Sequence, residues 1–196
     1  MNDALFNEDD ESNTPLTGEE REQLIPSYIT TRAELNEAEH VNIAKASRWL
    51  FRRMPDILDD AVLRALHKRM FDEVWQWAGK FRTSPRNIGV DAYRIGMELR
   101  QLIGDVLFQI EHHTYPADEI AVRFSHRLVL IHAFANGNGR HSRLAADYLA
   151  VKLGRPRFSW GIDSMSNAKI MRQNYVTALQ RADQNDMSDL LVFARS

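Results

Sequence analysis

Leu63, Leu66, Met70, Val74 and Trp77 fall at i, i+3, i+7, i+11 and i+14. A helix of 3.6 residues per turn places such a set on one face, and a strand does not. Gly79 stands where a helix would stop. The same period recurs along the chain. A helical pattern follows Thr30 or Thr31, includes Val41, Ala44, Trp49 and Leu50, and ends at Met54-Pro55. Another covers about Tyr93 to His112, with Met97, Leu99, Ile103, Val106, Leu107 and Ile110 apolar, until Tyr115-Pro116 breaks it. Ile120, Phe124 and Leu128 mark a helix over 117–131. Further helices are expected over about 140–153, 165–183 and 187–194. Residues 81–91, with Pro85 and Gly89, read as a loop or short hairpin. The expected fold class is therefore all-α with at most one hairpin.

The chain has 196 residues, enough for one core without staples. Residues 1–20 are polar and acidic and lack periodicity. They read as a flexible arm ahead of a single helical domain over 21–196. There is no cysteine, which excludes thiol catalysis, disulfides and cysteine-ligated zinc. The net charge is −2 with scattered Lys and Arg, so nothing argues for direct nucleic-acid binding. No apolar stretch is long enough for a membrane span. The acidic start is the reverse of a signal peptide, and a cytoplasmic location is expected.

One segment carries chemistry: Ile131-His132-Ala133-Phe134-Ala135-Asn136-Gly137-Asn138-Gly139-Arg140-His141-Ser142-Arg143. A glycine-bearing turn that re-enters a helix gathers unpaired backbone amides at the positive end of the helix dipole. That is an anion site. Arg140 and Arg143 are three apart and share the first turn, where two guanidinium forks suit a polyphosphate. His132 at the rim can take a proton from an incoming hydroxyl. A plain helix–helix turn explains neither the histidine nor the second arginine. A zinc site built from His112, His113, His126, His132 and His141 lacks any His-Glu-x-x-His pattern. His126 reads as a helix-surface or core residue, and His67 and His141 as solvated neighbours of the site. Trp77 reads as core.

The segment resembles the signature of the Fic family, His-x-Phe-x-(Asp/Glu)-Gly-Asn-Gly-Arg-x-x-Arg. His132, Phe134, Gly137, Asn138, Gly139, Arg140 and Arg143 match; Asn136 replaces the acidic residue. Trp77-Ala78-Gly79-Lys80-Phe81-Arg82-Thr83 is similar to the family's run into its flap, a hairpin that aligns the target segment. With Ile29-Thr30-Thr31-Arg32 and Asn87-Ile88-Gly89-Val90-Asp91, about residues 15–161 resemble the subfamily called mobile mystery protein B. Its members are encoded beside a helix-turn-helix protein, mobile mystery protein A.

The resemblance implies a protein adenylyltransferase that moves AMP from ATP to a Ser, Thr or Tyr hydroxyl of a target protein and releases pyrophosphate. His132 would be the general base and Phe134 the loop anchor. Gly137, Asn138 and Gly139 would hold the α- and β-phosphates. Arg140 would meet the β-phosphate and Arg143 the γ-phosphate. Asn136 would offer Mg²⁺ a carbonyl oxygen but no charge. The family's inhibitory helix has Ser/Thr-x-x-x-Glu-Gly/Asn; Thr30 and Glu34 fit, and Leu35 does not. Glu34 is thus either an inhibitory residue or part of a helix cap. Arg82 and Arg86 are candidate flap or target contacts, or solvated loop residues. Alternatives to AMP transfer are transfer of a phosphoryl or UMP group, removal of AMP, or a catalytically weak, toxin-like binding module controlled by the helix-turn-helix partner. Gly139 argues against the phosphotransferring Doc type, which has lysine there.

Overall fold

The computed structural model describes residues 16–161 and 168–196. Most of the expected arm, and the start of the helix expected near residue 165, lie outside the described residues. The described residues form eight α-helices: α1 (Gly18–Arg21), α2 (Arg32–Arg53), α3 (Asp60–Phe71), α4 (Ile95–Glu111), α5 (Ala117–Ile131), α6 (Asn138–Lys152), α7 (Ala168–Ala182) and α8 (Ser188–Arg195). A 3₁₀ turn, Ala92–Arg94, leads into α4. The all-α expectation holds. None of these helices is long and apolar enough to cross a membrane.

The caps explain the boundaries. Thr31 caps α2 and Glu34 closes a capping box. Asp59 caps α3. Met54 ends α2 in the left-handed region, with Pro55 next. The segment 81–91 differs from the hairpin expectation. It is irregular and does not pair with itself. Its backbone bonds run to the α5–α6 connection instead, from Arg82 N–H to Ala133 O (3.0 Å) and from Val90 N–H to Ile131 O (3.4 Å). Among the described residues the one β-bridge joins Leu24 and Trp75.

α3 stops at Phe71, eight residues before Gly79, and turns follow. Val74 and Trp77 are nevertheless buried, because the turns stay packed on the core in phase with the helix. The inward stripe of α2 is Leu35, Glu39, Asn42, Ala46 and Leu50, while Val41 is exposed. Residues 16–20, assigned to the arm from sequence, include a small capped helix. The stretch after it bonds to the turns beyond α3 through Ile25 N–H to Val74 O (2.9 Å). α5 packs on α6 along their lengths, with α3 and α2 against the start of α6. Phe124, Ala145, Ala146 and Tyr148 are fully enclosed between them. This layering holds the α5–α6 connection, residues 132–137, in the middle of the fold.

Candidate active site

α5 ends at His132, whose backbone is left-handed (φ 53°, ψ 55°). That conformation turns the chain sharply out of the helix. Asn138 then closes the loop on itself. Its Oδ1 accepts from Phe134 N–H (3.0 Å) and its Nδ2 donates to Phe134 O (2.8 Å). Gly137 also has a positive φ, 78°, and a Cβ there would lie 2.5 Å from the Phe71 ring. Glycine is required at that position on both counts.

No side chain caps α6. The first intrahelical bond runs from His141 N–H to Gly137 O (2.9 Å). The amides of Asn138, Gly139 and Arg140 therefore leave the helix without an intrahelical carbonyl. A Cβ at Gly139 would meet nothing within 4 Å. Packing does not demand glycine there, and the space beside Gly139 is open.

Phe134 is buried as expected and anchors the loop. It stacks on the His67 ring (3.6 Å, 14°) and meets His141 edge-on (5.2 Å). Both histidines, expected to be solvated, are instead fully enclosed. Gly79 N–H donates to His67 Nδ1 (3.0 Å), so the ring's other nitrogen carries the proton and donates to Asn136 O (3.0 Å). His141 Nε2 donates to Leu63 O (2.9 Å). His67 thus ties the loop to the turn after α3, and His141 ties α6 to α3. Burial pushes the His67 pKa well below the ordinary value and that of His141 down to about 4, so both stay neutral. His126, half predicted as core, is buried and bonds Asp183 Oδ1 (2.8 Å).

His132 is 5% exposed. Burial, followed by the nearby Arg82 charge and then Arg86, lowers its pKa to about 4, against a backbone hydrogen bond at Val129. It is neutral at pH 7, the form a general base needs.

The two motif arginines share the first turn but take different neighbours. The Arg140 guanidinium pairs with Glu39 Oε2 (2.6 Å) and lies over the Phe71 ring (4.9 Å). Arg143 lies over the Tyr175 ring of α7 (5.1 Å). Glu39 is the residue that sequence reading missed. It is buried, and its other oxygen accepts from Trp75 Nε1 (2.8 Å). The available signal was its place in phase with Leu35, Ala46 and Leu50 on the inward face of α2.

Glu34 is exposed, and its carboxylate accepts from Thr30 N–H (2.8 Å) and Thr31 N–H (2.9 Å). Those are helix-cap bonds, and they hold its carboxyl below the usual range. Neither Arg82 nor Arg86 is a solvated loop residue. Arg86 is buried in an ion pair with Glu20. Arg82 is buried and bonds only backbone carbonyls among its hydrogen bonds.

The donors for a metal are sparse. Asn136 Oδ1 already accepts from Gly137 N–H (2.5 Å). Among the described residues no three His, Cys, Asp or Glu side chains gather into a metal site. Asn136 offers only a neutral oxygen, so a Mg²⁺ here would be held chiefly by the phosphates of a bound nucleotide.

The Fic/DOC family model matches residues 57–150. No curated protein matches the chain. Among solved structures the chain is similar to Fic-1 of C. elegans (22% identity, TM-score 0.70), covering 90% of this chain and 51% of that one. It therefore spans about half the length of that relative. It is similar to an N-terminal Fic domain of a Bep effector from Bartonella quintana with bound ADP (19%, TM-score 0.64, 86% of each chain). It is also similar to BepC of Bartonella tribocorum with bound AMPPNP (18%, TM-score 0.65, 91% of this chain and 97% of that one). The family match covers just under half of the chain, and the chain shares its fold with these Fic-domain structures.

Proposed function

We propose that the chain binds ATP at the N-terminus of α6 and transfers AMP to a Ser, Thr or Tyr hydroxyl of a protein. The observation that carries this reading is the uncapped first turn of α6, open beside Gly139 and preceded by a neutral, buried His132. The amides of Asn138, Gly139 and Arg140 would receive phosphate oxygens, with Arg143 beside them. ADP and AMPPNP bound in the two Bartonella structures support a nucleotide as ligand.

In the transfer, His132 accepts the proton of the target hydroxyl. The hydroxyl oxygen attacks the α-phosphorus. The bond from that phosphorus to the bridging oxygen breaks, and pyrophosphate leaves with the charge. The amides and arginines stabilise that charge without reorganising. A pKa of about 4 makes His132 a weak base in the free protein. A polyphosphate beside it raises the pKa toward the working range, because negative charge favours the imidazolium.

A second reading has one observation behind it. Arg140 is already neutralised by Glu39 and Asn136 is already engaged by Gly137. That favours a catalytically weak, toxin-like module, held by a helix-turn-helix partner such as mobile mystery protein A. Mass spectrometry of the protein after incubation with ATP and Mg²⁺, with and without host lysate, separates the two. An added AMP on this chain or on a lysate protein, absent with His132→Ala, is expected. No increment with any nucleotide, alongside stoichiometric capture of the partner, supports the second reading.

A further inference from the structure

Arg82 lies at the start of the 81–91 segment and is 5% exposed. Its guanidinium spans three backbone carbonyls. Nε donates to His132 O (2.6 Å) and Nη1 to Ser84 O (3.0 Å), and Nη2 donates to Val90 O. Its own amide donates to Ala133 O (3.0 Å). One side chain thus joins both ends of the segment to the residue that terminates α5.

Two further facts make the joint tight. His132 holds a left-handed backbone, which turns the chain out of the helix, and its carbonyl accepts from Arg82. Gly89 (φ +98°) passes against it; a Cβ there would lie 2.5 Å from His132 Cβ and 2.9 Å from Arg82 Nη2. The segment touches the histidine with no side chain between them.

The choice of residue is informative. A buried cation bonded only to neutral carbonyls is costly to desolvate. Lysine has no planar fork that reaches three fixed carbonyls at once. We infer that Arg82 is a positioning residue: it locks the 81–91 segment and the left-handed His132 into one rigid unit, so that a hydroxyl presented along the segment meets an imidazole already oriented. This rests on the transfer proposed above for its purpose, but the lock itself does not.

The charge has a second effect at the same place. Arg82 and Arg86 both oppose protonation of His132. Arg86 is paired with Glu20, and Asp91 lies near enough to act on Arg82.

The test uses the full chain carrying Arg82→Lys, Arg82→Gln or Gly89→Ala, with three readouts. Amide hydrogen exchange over 83–91 is expected to quicken at least about tenfold in all three variants, with the α5–α6 core still protected. In an NMR titration, Arg82→Gln is expected to raise the His132 pKa by about one unit, and Arg82→Lys to leave it low. With ATP as probe, calorimetry is expected to give binding within about twofold of wild type for Arg82→Lys, while automodification slows about tenfold. Unchanged exchange over 83–91 in the folded variants overturns the lock. An unchanged His132 pKa in Arg82→Gln overturns the electrostatic part. If Arg82→Gln does not fold, the exchange comparison rests on Arg82→Lys and Gly89→Ala. The exchange and titration need no turnover, so a wild type without transfer would sink the proposed function and still decide the lock.

Discussion

Gly137 shows how much a single residue decides here. Its left-handed backbone and the Phe71 ring behind it leave no room for a side chain. Gly137→Ala is expected to cost about 2–4 kcal/mol, from backbone strain and overpacking together. Urea denaturation checks this, and a loss below 1 kcal/mol would show that the loop relaxes freely. Gly139 makes the contrast, since a Cβ there would meet nothing within 4 Å. At this scale the sequence was most readable where the chain is local. The turn over 133–139 follows from residues adjacent in sequence, so its geometry was legible. His67 and His141 were not, because their enclosure depends on α3 meeting the loop and α6, and no residue adjacent to them in sequence signals that contact.

At the scale of elements, α2 meets Arg140 through Glu39, while Glu34 closes the helix cap. Glu34 caps the helix by a local rule and could be read as such. Glu39 sits five residues further on and takes part only because α2 lies beside Trp75 and the start of α6. Glu39→Gln keeps the shape and leaves Arg140 with no carboxylate. It is expected to lower stability by about 1 kcal/mol, the partner being partly exposed. It is expected to tighten ATP binding about threefold, by removing a negative charge near the phosphates. Calorimetry measures the affinity; weaker binding would mean that Glu39 serves mainly to aim Arg140. The end of α3 was misplaced for an instructive reason. Val74 and Trp77 keep the helical phase although the chain there turns, so burial continued the pattern after the hydrogen bonding had stopped. The expected hairpin failed because Arg82 and the α5–α6 connection take up the backbone groups that a hairpin would pair.

For the whole molecule, three buried neutral histidines set the response to acid. His132 and His141 have folded pKa values of about 4, and that of His67 is well below the ordinary value. In the unfolded chain each protonates near pH 6.5. The unfolded state therefore binds more protons below that pH. The stability these groups contribute is complete above pH 6.5 and is lost as the pH falls toward 4. Each is expected to cost roughly 1.4 kcal/mol per pH unit in that window. Asp147, whose carboxyl is pushed up by burial, works in the opposite direction at the acid end. Denaturation between pH 7.5 and 4.5 should show stability flat above about pH 7 and falling steeply below 6; a flat profile throughout would mean that these rings are solvated.

In the proposed transfer the α6 terminus holds the triphosphate so that its α-phosphorus faces the hydroxyl activated by His132. The most direct measurement supplies ATP labelled at either the α- or the γ-phosphate and follows which label becomes covalently attached to protein. Attachment of the α label alone, abolished by His132→Ala, is expected. Attachment of the γ label would contradict it, since the same anion site would then be presenting the nucleotide in reverse for phosphoryl transfer.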